Sequence, residues 1–363
     1  MTNFQETTFK SDLFDKQFSI FDAHQVEQVR QQLGEFTFER PHSLHGQWSV
    51  AVETYLEFYG FLHAITSENV DYFFGYRSIS VDETTYAIAT HYWRVPHSKS
   101  TVFLMHGLFD HVGLFQRFIG HLIEQGYSVV SIDLPGHGLS SGEPAVIDSF
   151  GRYARVLENT MTFFGDELKG QSLCAIGQST GAAVLMWTLF DHARGQSADA
   201  NVQSLFDRVI FMGPLLRPSG WHFGRISYFL LRHFVSRLRR DTSKPNTHDR
   251  AFHHFLTDHD PLQPKALPTV WVGAMKEWID SFDAQPKVSV PLLIVQGTDD
   301  HVVDWRRNTK KIQQYFTQSE LSLIEGARHH LLNEALPWRK VIYASMSRFL
   351  RGKSAQAAVS TVK

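Results

Sequence analysis

The stretch SLCAIGQSTGAAVLMWTLF at residues 172–190 joins a short apolar run to a helical run through the pentapeptide GQSTG at 177–181. This order of strand, sharp turn and helix is the context of a G-x-S-x-G nucleophile elbow. Gly177 and Gly181 flank the serine because the tight turn strains the backbone, and a side chain there would collide with the neighbouring strand or helix. We therefore predict Ser179 as an exposed nucleophile. The first N–H groups of the following helix would face the charge that develops beside it.

Outward from the elbow, short apolar runs alternate with helical stretches. Several of these runs are rich in Val, Ile and Leu and end in Gly, which is typical of strands buried on both faces of a parallel sheet. Strands that alternate with helices indicate a doubly wound α/β domain. The runs are TVFLMHG at 101–107, YSVVSIDL at 127–134, SLCAIG at 172–177, RVIFMG at 208–213, PLLIVQG at 291–297 and LSLIEG at 321–326.

Changes in this pattern predict the domain boundaries. Residues 1–72 carry pieces of helical periodicity and form a helical N-terminal extension. The α/β core comprises 73–213 and 291–351, and it begins with FFGYRSISV and TTYAIATHYWRV, which predict a hairpin at the sheet edge. Between them, 214–290 breaks the alternation with a helical, aromatic-rich insertion that we interpret as a cap or lid. The small polar residues of 352–363 predict a flexible tail.

Composition excludes several classes of protein. The chain has 363 residues and a formal charge of −2, which provides no global field for nucleic acid or an anionic membrane. The single cysteine, Cys174, excludes an internal disulfide framework and a multi-cysteine metal site and fits a reducing compartment. The start lacks the pattern of a signal peptide, and no window reaches the roughly 18 apolar residues that a bilayer span needs. We expect a cytoplasmic protein that is not integral to a membrane.

A serine nucleophile needs a base and an acid, which should follow it in the order Ser, Asp, His on later strand ends. Asp300 follows the strand PLLIVQG, and His329 follows LSLIEG. Because the carboxyl ends of parallel strands face a common crevice, these side chains should converge on Ser179. We predict His329 as the general base and Asp300 as the acid that orients it.

The end of the strand TVFLM supplies the position from which an oxyanion donor usually comes. We assign one donor to the N–H of Leu108, which follows Gly107, and the other to the N–H of Thr180. His106 is interpreted as a residue that supports this loop rather than one that transfers protons, and His137 is interpreted as structural.

Five motifs occur in an order that resembles the monoacylglycerol lipase and lysophospholipase group of α/β-hydrolases, a serine aminopeptidase S33-like group. The resemblance spans about residues 101–350 and implies the α/β-hydrolase fold, the same triad, and a cap placed before the strand that carries the catalytic acid. The chain departs from the group at Thr180, where these lipases commonly have Met, and in its longer N-terminal region. The motifs are HGLFDHVGLF at 106–115, SIDLPGHGLSSGEP at 131–144, GQSTG at 177–181, GTDDHVV at 297–303 and GARHHLLNE at 326–334.

The predicted cap contains a possible lipid-contacting stretch at residues 222–240. Helical spacing places five apolar residues on one stripe with arginines around it, which suits contact with lipid or with an acyl channel. The alternative, which we favour, is a lid helix packed on the body with a solvated basic face. Farther along, Trp271, Met275 and Trp278 have helical spacing and are interpreted as a roof over the pocket. The apolar residues are Phe223, Ile226, Leu230, Phe234 and Leu238, and the arginines are Arg225, Arg232, Arg237, Arg239 and Arg240.

Together these patterns predict a serine hydrolase that cleaves carboxylic esters, of monoacylglycerol or lysophospholipid type, without a metal or organic cofactor. An amidase, peptidase or acyltransferase with the same triad remains an alternative, since cap residues select the leaving group and the acceptor. A catalytically silent binding relative is the non-enzymatic alternative, and it would lack a member of the triad. Oligomeric state is left open.

Overall fold

The computed structural model describes residues 21–39, 48–64, 70–195, 205–241 and 244–352. The first twenty residues of the predicted N-terminal extension therefore lie outside the described residues. The same holds for the predicted flexible tail, apart from Gly352.

The centre of the fold is an eight-stranded sheet with the order β1-β2-β4-β3-β5-β6-β9-β10. Strands β4, β3, β5, β6, β9 and β10 are parallel, whereas β1 pairs antiparallel with β2 and β2 antiparallel with β4. Two further strands, β7 and β8, form a separate antiparallel ribbon. The strands are β1 (Asp71–Val81), β2 (Thr84–Arg94), β3 (Thr101–Met105), β4 (Ser128–Ile132), β5 (Leu173–Gln178), β6 (Arg208–Met212), β7 (Arg237–Arg239), β8 (Ala266–Pro268), β9 (Leu292–Gly297) and β10 (Ser319–Ile324).

Helices connect these strands and cover both faces of the sheet, so the predicted α/β fold is confirmed. The central strands β3, β4 and β9 are buried along their whole length, which explains their continuous apolar sequence. The predicted hairpin is formed by β1 and β2, although β1 begins at Asp71, two residues before the predicted start. The helices are α1 (Ala23–Gln32), α2 (Val50–Phe58), α3 (Phe61–Ala64), α4 (Gln116–Glu124), α5 (Phe150–Phe164), α6 (Thr180–Ala193), α7 (Trp221–Leu231), α8 (Arg250–His254), α9 (Thr269–Ser281), α10 (Trp305–Tyr315) and α11 (Leu336–Leu350).

The N-terminal helices pack onto the sheet edge. Helix α1 begins at a capping box, in which the Asp22 carboxylate accepts backbone N–H bonds and the Gln25 side chain accepts the N–H of Asp22. Helix α2 places Tyr55 against the ring of Phe74 on β1, with ring centroids 5.7 Å apart. These helices therefore share a hydrophobic core with the sheet.

The structure between β6 and β9 differs from the single helical stripe that was predicted at 222–240. Helix α7 ends at Leu231, so Phe234 lies beyond it and Leu238 lies in the ribbon strand β7. The apolar stripe itself is not packed on the body, since Phe223 is 81% and Phe234 86% exposed, but α7 contacts the core through the buried Trp221 and the partly buried Tyr228. The arginines do not form one solvated face either, because Arg240 turns inward and donates to Gln263.

Helix α9 carries the residues that were interpreted as a roof. Trp271, Met275 and Trp278 are buried in the core, where Trp278 contacts the ring of Phe150 on α5 and donates its indole N–H to the carbonyl of Leu215. In the described part of the chain, no helix is both long and apolar enough to cross a membrane.

Candidate active site

The parallel strand order places two functional loops side by side. The chain runs from β3 to β4 on one side and continues to β5 on the other side, so the crevice at the strand ends opens between β3 and β5. The loop that follows β3 contains Leu108, and the turn that follows β5 contains Ser179. A Cβ atom added to Gly107 would lie 3.3 Å from the Cβ atom of Ser179, which shows how closely the loop approaches the turn.

The turn at Ser179 has the strained backbone of a nucleophile elbow. Ser179 has φ 53° and ψ −110°, a conformation that L-residues rarely adopt. The flanking glycines, by contrast, are needed because neighbouring backbone comes very close to them, and not because their own backbone angles are unusual. A Cβ atom on Gly177 would lie 2.6 Å from the nitrogen of Ala182, and one on Gly181 would lie 2.3 Å from the carbonyl oxygen of Met105. Both contacts are with backbone atoms, so strand and helix can meet only with glycine at these positions.

Three side chains from separate strand ends form one hydrogen-bonded chain. The Nε2 atom of His329 lies 2.9 Å from the Oγ atom of Ser179, and its Nδ1 atom lies 2.8 Å from the Oδ2 atom of Asp300. Asp300 and His329 are buried, and Ser179 is 9% exposed. The structure therefore brings the predicted nucleophile, base and acid together.

The Asp300 carboxylate is fixed by further bonds. Its Oδ1 atom accepts the backbone N–H groups of Val302 and Val303 at 2.8 and 3.1 Å, and its Oδ2 atom accepts the Gln296 amide at 3.0 Å. Burial by itself raises the pKa of Asp300, but His329 and these donors lower it below its ordinary value. Asp300 therefore stays ionised and can accept the Nδ1–H of His329.

The pKa of His329 is set by opposing effects. Burial lowers it, whereas the adjacent Asp300 carboxylate raises it, and the net pKa lies above 6.5. The neighbouring candidates have other partners, since Asp299 pairs with His301 and Arg328. The geometry therefore distinguishes Asp300 and His329 from their sequence neighbours.

The loop after β3 and the start of α6 contain the two predicted oxyanion donors, the N–H groups of Leu108 and Thr180. Neither the Leu108 N–H nor the Thr180 N–H has an acceptor among the described residues. His106 is buried and braces the loop, since its Nδ1 atom lies 2.8 Å from the Gly107 carbonyl and its Nε2 atom accepts the Leu134 N–H at 2.9 Å. Burial lowers the pKa of His106 to about 3, so this histidine is neutral and fixed as the Nδ1–H tautomer.

A second buried pair lies beside the triad, and sequence reasoning did not assign it a role. The Asp110 carboxylate lies 3.2 Å from the Nε2 atom of His330, which adjoins the base in sequence. Burial raises the pKa of Asp110, but His330, His106 and Arg240 lower it to about 2. The signal was present in the motif HGLFDHVGLF at 106–115, which includes this acid. Asp110 therefore brings a permanent negative charge close to His329 and raises the pKa of that residue.

His137 occupies a turn behind the site. Its Nδ1 atom lies 3.0 Å from the carbonyl of Pro135, and burial lowers its pKa to about 4. In the described ranges, no group of three or more His, Cys, Asp or Glu side chains is arranged to hold a metal ion.

Comparison with known proteins agrees with this fold and motif order. A profile of the family described as serine aminopeptidase, S33, matches residues 96–335. The monoglyceride lipase homolog of Monkeypox virus is 24% identical over 264 residues, which cover 71% of this chain and 92% of the viral protein. The monoglyceride lipase of Homo sapiens is 24% identical over 254 residues, which cover 68% of this chain and 80% of the human protein.

Solved structures share the fold at low sequence identity. A soluble variant of monoglyceride lipase from Saccharomyces cerevisiae, in complex with a substrate analog, superimposes with a TM-score of 0.62 and 21% identity, and the match covers 76% of this chain and 94% of the yeast chain. A carboxyl esterase from Bacillus coagulans gives a TM-score of 0.60 at 14% identity, over 77% of this chain and 98% of the esterase. The chain belongs to the serine aminopeptidase S33 family and is an α/β-hydrolase of the monoglyceride lipase type.

Proposed function

We propose that the protein hydrolyses carboxylic esters through an acyl-enzyme on Ser179, with His329 as the general base and Asp300 as the orienting acid. The observation that carries the proposal is the continuous chain of hydrogen bonds from Asp300 through His329 to Ser179. Family membership and the monoglyceride lipase relatives indicate the same reaction class, a carboxylic ester hydrolase.

The proposed mechanism follows from the tautomer that the site selects. Asp300 accepts the Nδ1–H of His329, so the Nε2 atom has a free lone pair that takes the proton of Ser179 as its oxygen attacks the ester carbon. The N–H groups of Leu108 and Thr180 receive the oxyanion. The alcohol leaves with the proton from His329, and water then cleaves the acyl-enzyme by the same steps.

A lipid-type ester, a monoacylglycerol or a lysophospholipid, is the proposed substrate. Monoglyceride lipases recur among the relatives, and the insertion at 214–290 begins beside Ser179, whose carbonyl accepts the N–H of Leu215 at 3.2 Å. Ser179 is almost buried, so access to it must pass through the groups that surround the strand ends. The family description favours a peptidase as the second candidate, with the same serine acting on an amide.

The first experiment is an assay of p-nitrophenyl esters from acetate to palmitate, of monoacylglycerols and of lysophospholipids, with aminoacyl p-nitroanilides for the peptidase alternative. Turnover and labelling by a fluorophosphonate should disappear in Ser179→Ala. Both should persist in the matched control Ser289→Ala, since Ser289 is an exposed serine just before β9 and is not part of the proposed triad. Absence of labelling and turnover in the wild type on every ester would contradict the ester hydrolase.

We also propose that α7 and the turn after it contact a membrane surface. Phe223, Ile226, Leu230 and Phe234 are 81%, 59%, 67% and 86% exposed, so this segment presents apolar side chains to solvent. Arg225, also exposed, adds a positive charge suited to anionic headgroups. A helix of this kind would hold the active site close to membrane-dissolved substrate.

Co-sedimentation with liposomes tests the membrane contact. The double variant Phe223→Ser/Phe234→Ser should lose most of its bound fraction, whereas Val50→Ser should not, because Val50 is 80% exposed but lies on α2. Hydrolysis of a water-soluble short ester should be unchanged in all three proteins. Equal sedimentation of the double variant and the wild type would refute the contact.

A further inference from the structure

The loop that carries the predicted oxyanion donor has a strained residue directly after that donor. Phe109 has φ 68°, a left-handed conformation that is unfavourable for a bulky side chain. Such a conformation persists only where the surroundings over-determine it, and it is frequent at active sites. Because Phe109 directly follows Leu108, fixing Phe109 restricts the conformations open to Leu108 and hence the direction of the Leu108 N–H.

Two residues of the insertion between β6 and β9 hold Phe109. The Gln263 amide donates to the Phe109 carbonyl at 2.8 Å, and the Arg240 guanidinium lies 4.4 Å from the centre of the Phe109 ring. Arg240 also donates to the Gln263 side-chain oxygen at 2.6 Å. The amide of Gln263 is thereby oriented so that its N–H groups point toward the loop.

Asp260 connects these residues to the N-terminal helix. Its Oδ2 atom accepts the other Gln263 N–H at 2.9 Å and lies 3.0 Å from the Nε2 atom of His111, at the end of the same loop. Its Oδ1 atom accepts the hydroxyl of Tyr59, which adjoins α2, at 2.7 Å. The side chains of Asp260 and His111 are fully buried. Three distant chain segments therefore meet at one carboxylate.

The electrostatics of Asp260 and His111 strengthen the contact between the insertion and the loop after β3. Burial by itself raises the pKa of Asp260, but His111, Tyr59 and Gln263 lower it below its ordinary value. Burial lowers the pKa of His111, but Asp260 raises it above 6.5. The ionised Asp260 and His111 therefore share a buried, charge-assisted hydrogen bond, whose loss is costly.

We propose that Tyr59, His111, Arg240, Asp260 and Gln263, here called the loop clamp, position the Leu108 N–H for the oxyanion. The N-terminal segment then helps to position a catalytic group through Tyr59, although it lies outside the matched family region of 96–335. This inference rests on the proposed function, because it assumes that Leu108 is an oxyanion donor.

The test compares two tyrosines one helical turn apart. Tyr59→Phe removes the hydroxyl that binds Asp260, whereas Tyr55→Phe removes a buried hydroxyl for which the described residues provide no hydrogen-bond partner. Gln263→Met removes the bond to Phe109 at nearly constant volume. For each protein, kcat and KM on a short p-nitrophenyl ester, the inhibition constant of a trifluoromethyl ketone, and the melting temperature are measured.

Misplacement of a catalytic group by about 1 Å can reduce a rate about 100-fold. We expect Tyr59→Phe and Gln263→Met to lower kcat by about 10- to 100-fold with KM changed less than about threefold. The trifluoromethyl ketone forms a hemiketal oxyanion on the serine, so its inhibition constant should rise in proportion to the loss in kcat. Tyr55→Phe should retain wild-type kcat and inhibition.

Other outcomes separate the two proposals. If Tyr59→Phe and Gln263→Met lower the melting temperature but keep kcat and the inhibition constant, the loop clamp is structural and the inference is wrong. An equal loss in Tyr55→Phe would also overturn it. Failure of the proposed function differs from both outcomes, because the wild type itself would then show no turnover and no fluorophosphonate labelling.

Discussion

Replacing Asp300 by Asn tests the proposed roles of the triad most directly, because the surrounding bonds determine how the new amide must point. In the wild type, the Oδ1 atom accepts the N–H groups of Val302 and Val303. The asparagine oxygen must keep this position, since an NH₂ group cannot accept these bonds. The NH₂ group then replaces Oδ2 and faces both His329 and the donating amide of Gln296.

The consequence for His329 is a change of tautomer. Its Nδ1 atom would have to accept a hydrogen bond from the asparagine NH₂ group, which leaves the ring hydrogen on Nε2, the atom that faces Ser179 at 2.9 Å. A protonated Nε2 cannot take the serine proton. Enzymes with this triad lose about 10⁴-fold in kcat through this tautomer change, which corresponds to about 5.4 kcal/mol of transition-state stabilisation.

The assay is kcat on a p-nitrophenyl ester of the preferred chain length, with the extent of fluorophosphonate labelling measured in parallel. The matched control is Asp299→Asn, because Asp299 adjoins Asp300 but pairs with His301 and Arg328 at the surface. This control should stay within about threefold of the wild type. A kcat for Asp300→Asn within about tenfold of the wild type would refute the assignment of the acid.

Three further predictions concern the same site. His329 must be neutral to act as a base and its pKa is raised, so kcat/KM should fall as the pH drops through a midpoint above 6.5; a midpoint below 6.5 would contradict this. Gly181→Ala should lower the free energy of unfolding, measured in urea, by about 1–3 kcal/mol, because the added Cβ atom would lie 2.3 Å from a carbonyl oxygen of β3. The control Gly34→Ala should leave this free energy unchanged, because a Cβ atom there would have no neighbouring atom within 4 Å. Gln296→Leu should reduce kcat by roughly tenfold, because it removes a hydrogen bond to the ionised Asp300 that is worth about 1.5 kcal/mol. An unchanged kcat would show that the backbone N–H groups of Val302 and Val303 are enough to hold Asp300 in place.

Much of the fold could be predicted from local patterns. The apolar runs of the parallel strands are continuous because both faces of those strands are buried, and that burial is visible in the sequence itself. The meeting of Ser179, Asp300 and His329 followed from one topological rule, since parallel strands end at a common edge. The elbow glycines were predicted for strain and collision, and the structure shows that collision with backbone is the reason for them while the strain lies at Ser179.

The segment after β6 was predicted less well, for a physical reason. Its apolar residues keep helical spacing through Leu238, but this residue pairs with Leu267 across the ribbon of β7 and β8, and that partner is distant in sequence. Helical periodicity contains no information about such pairing. The burial of Arg240 has the same origin, since the carboxylates of Asp110 and Asp260 that surround it come from other parts of the chain.

The sequence by itself determined the type of chemistry at the strand ends, because the elbow, the acid and the base each carry a local motif and the parallel sheet brings their positions together. Only the tertiary structure decided which neighbours control those groups. Tyr59, Asp260 and Gln263 carry no motif, and they act on the oxyanion loop only because folding joins the N-terminal helix and the insertion at a buried carboxylate. Burial and long-range hydrogen bonds depend on three-dimensional proximity, which local sequence patterns do not encode.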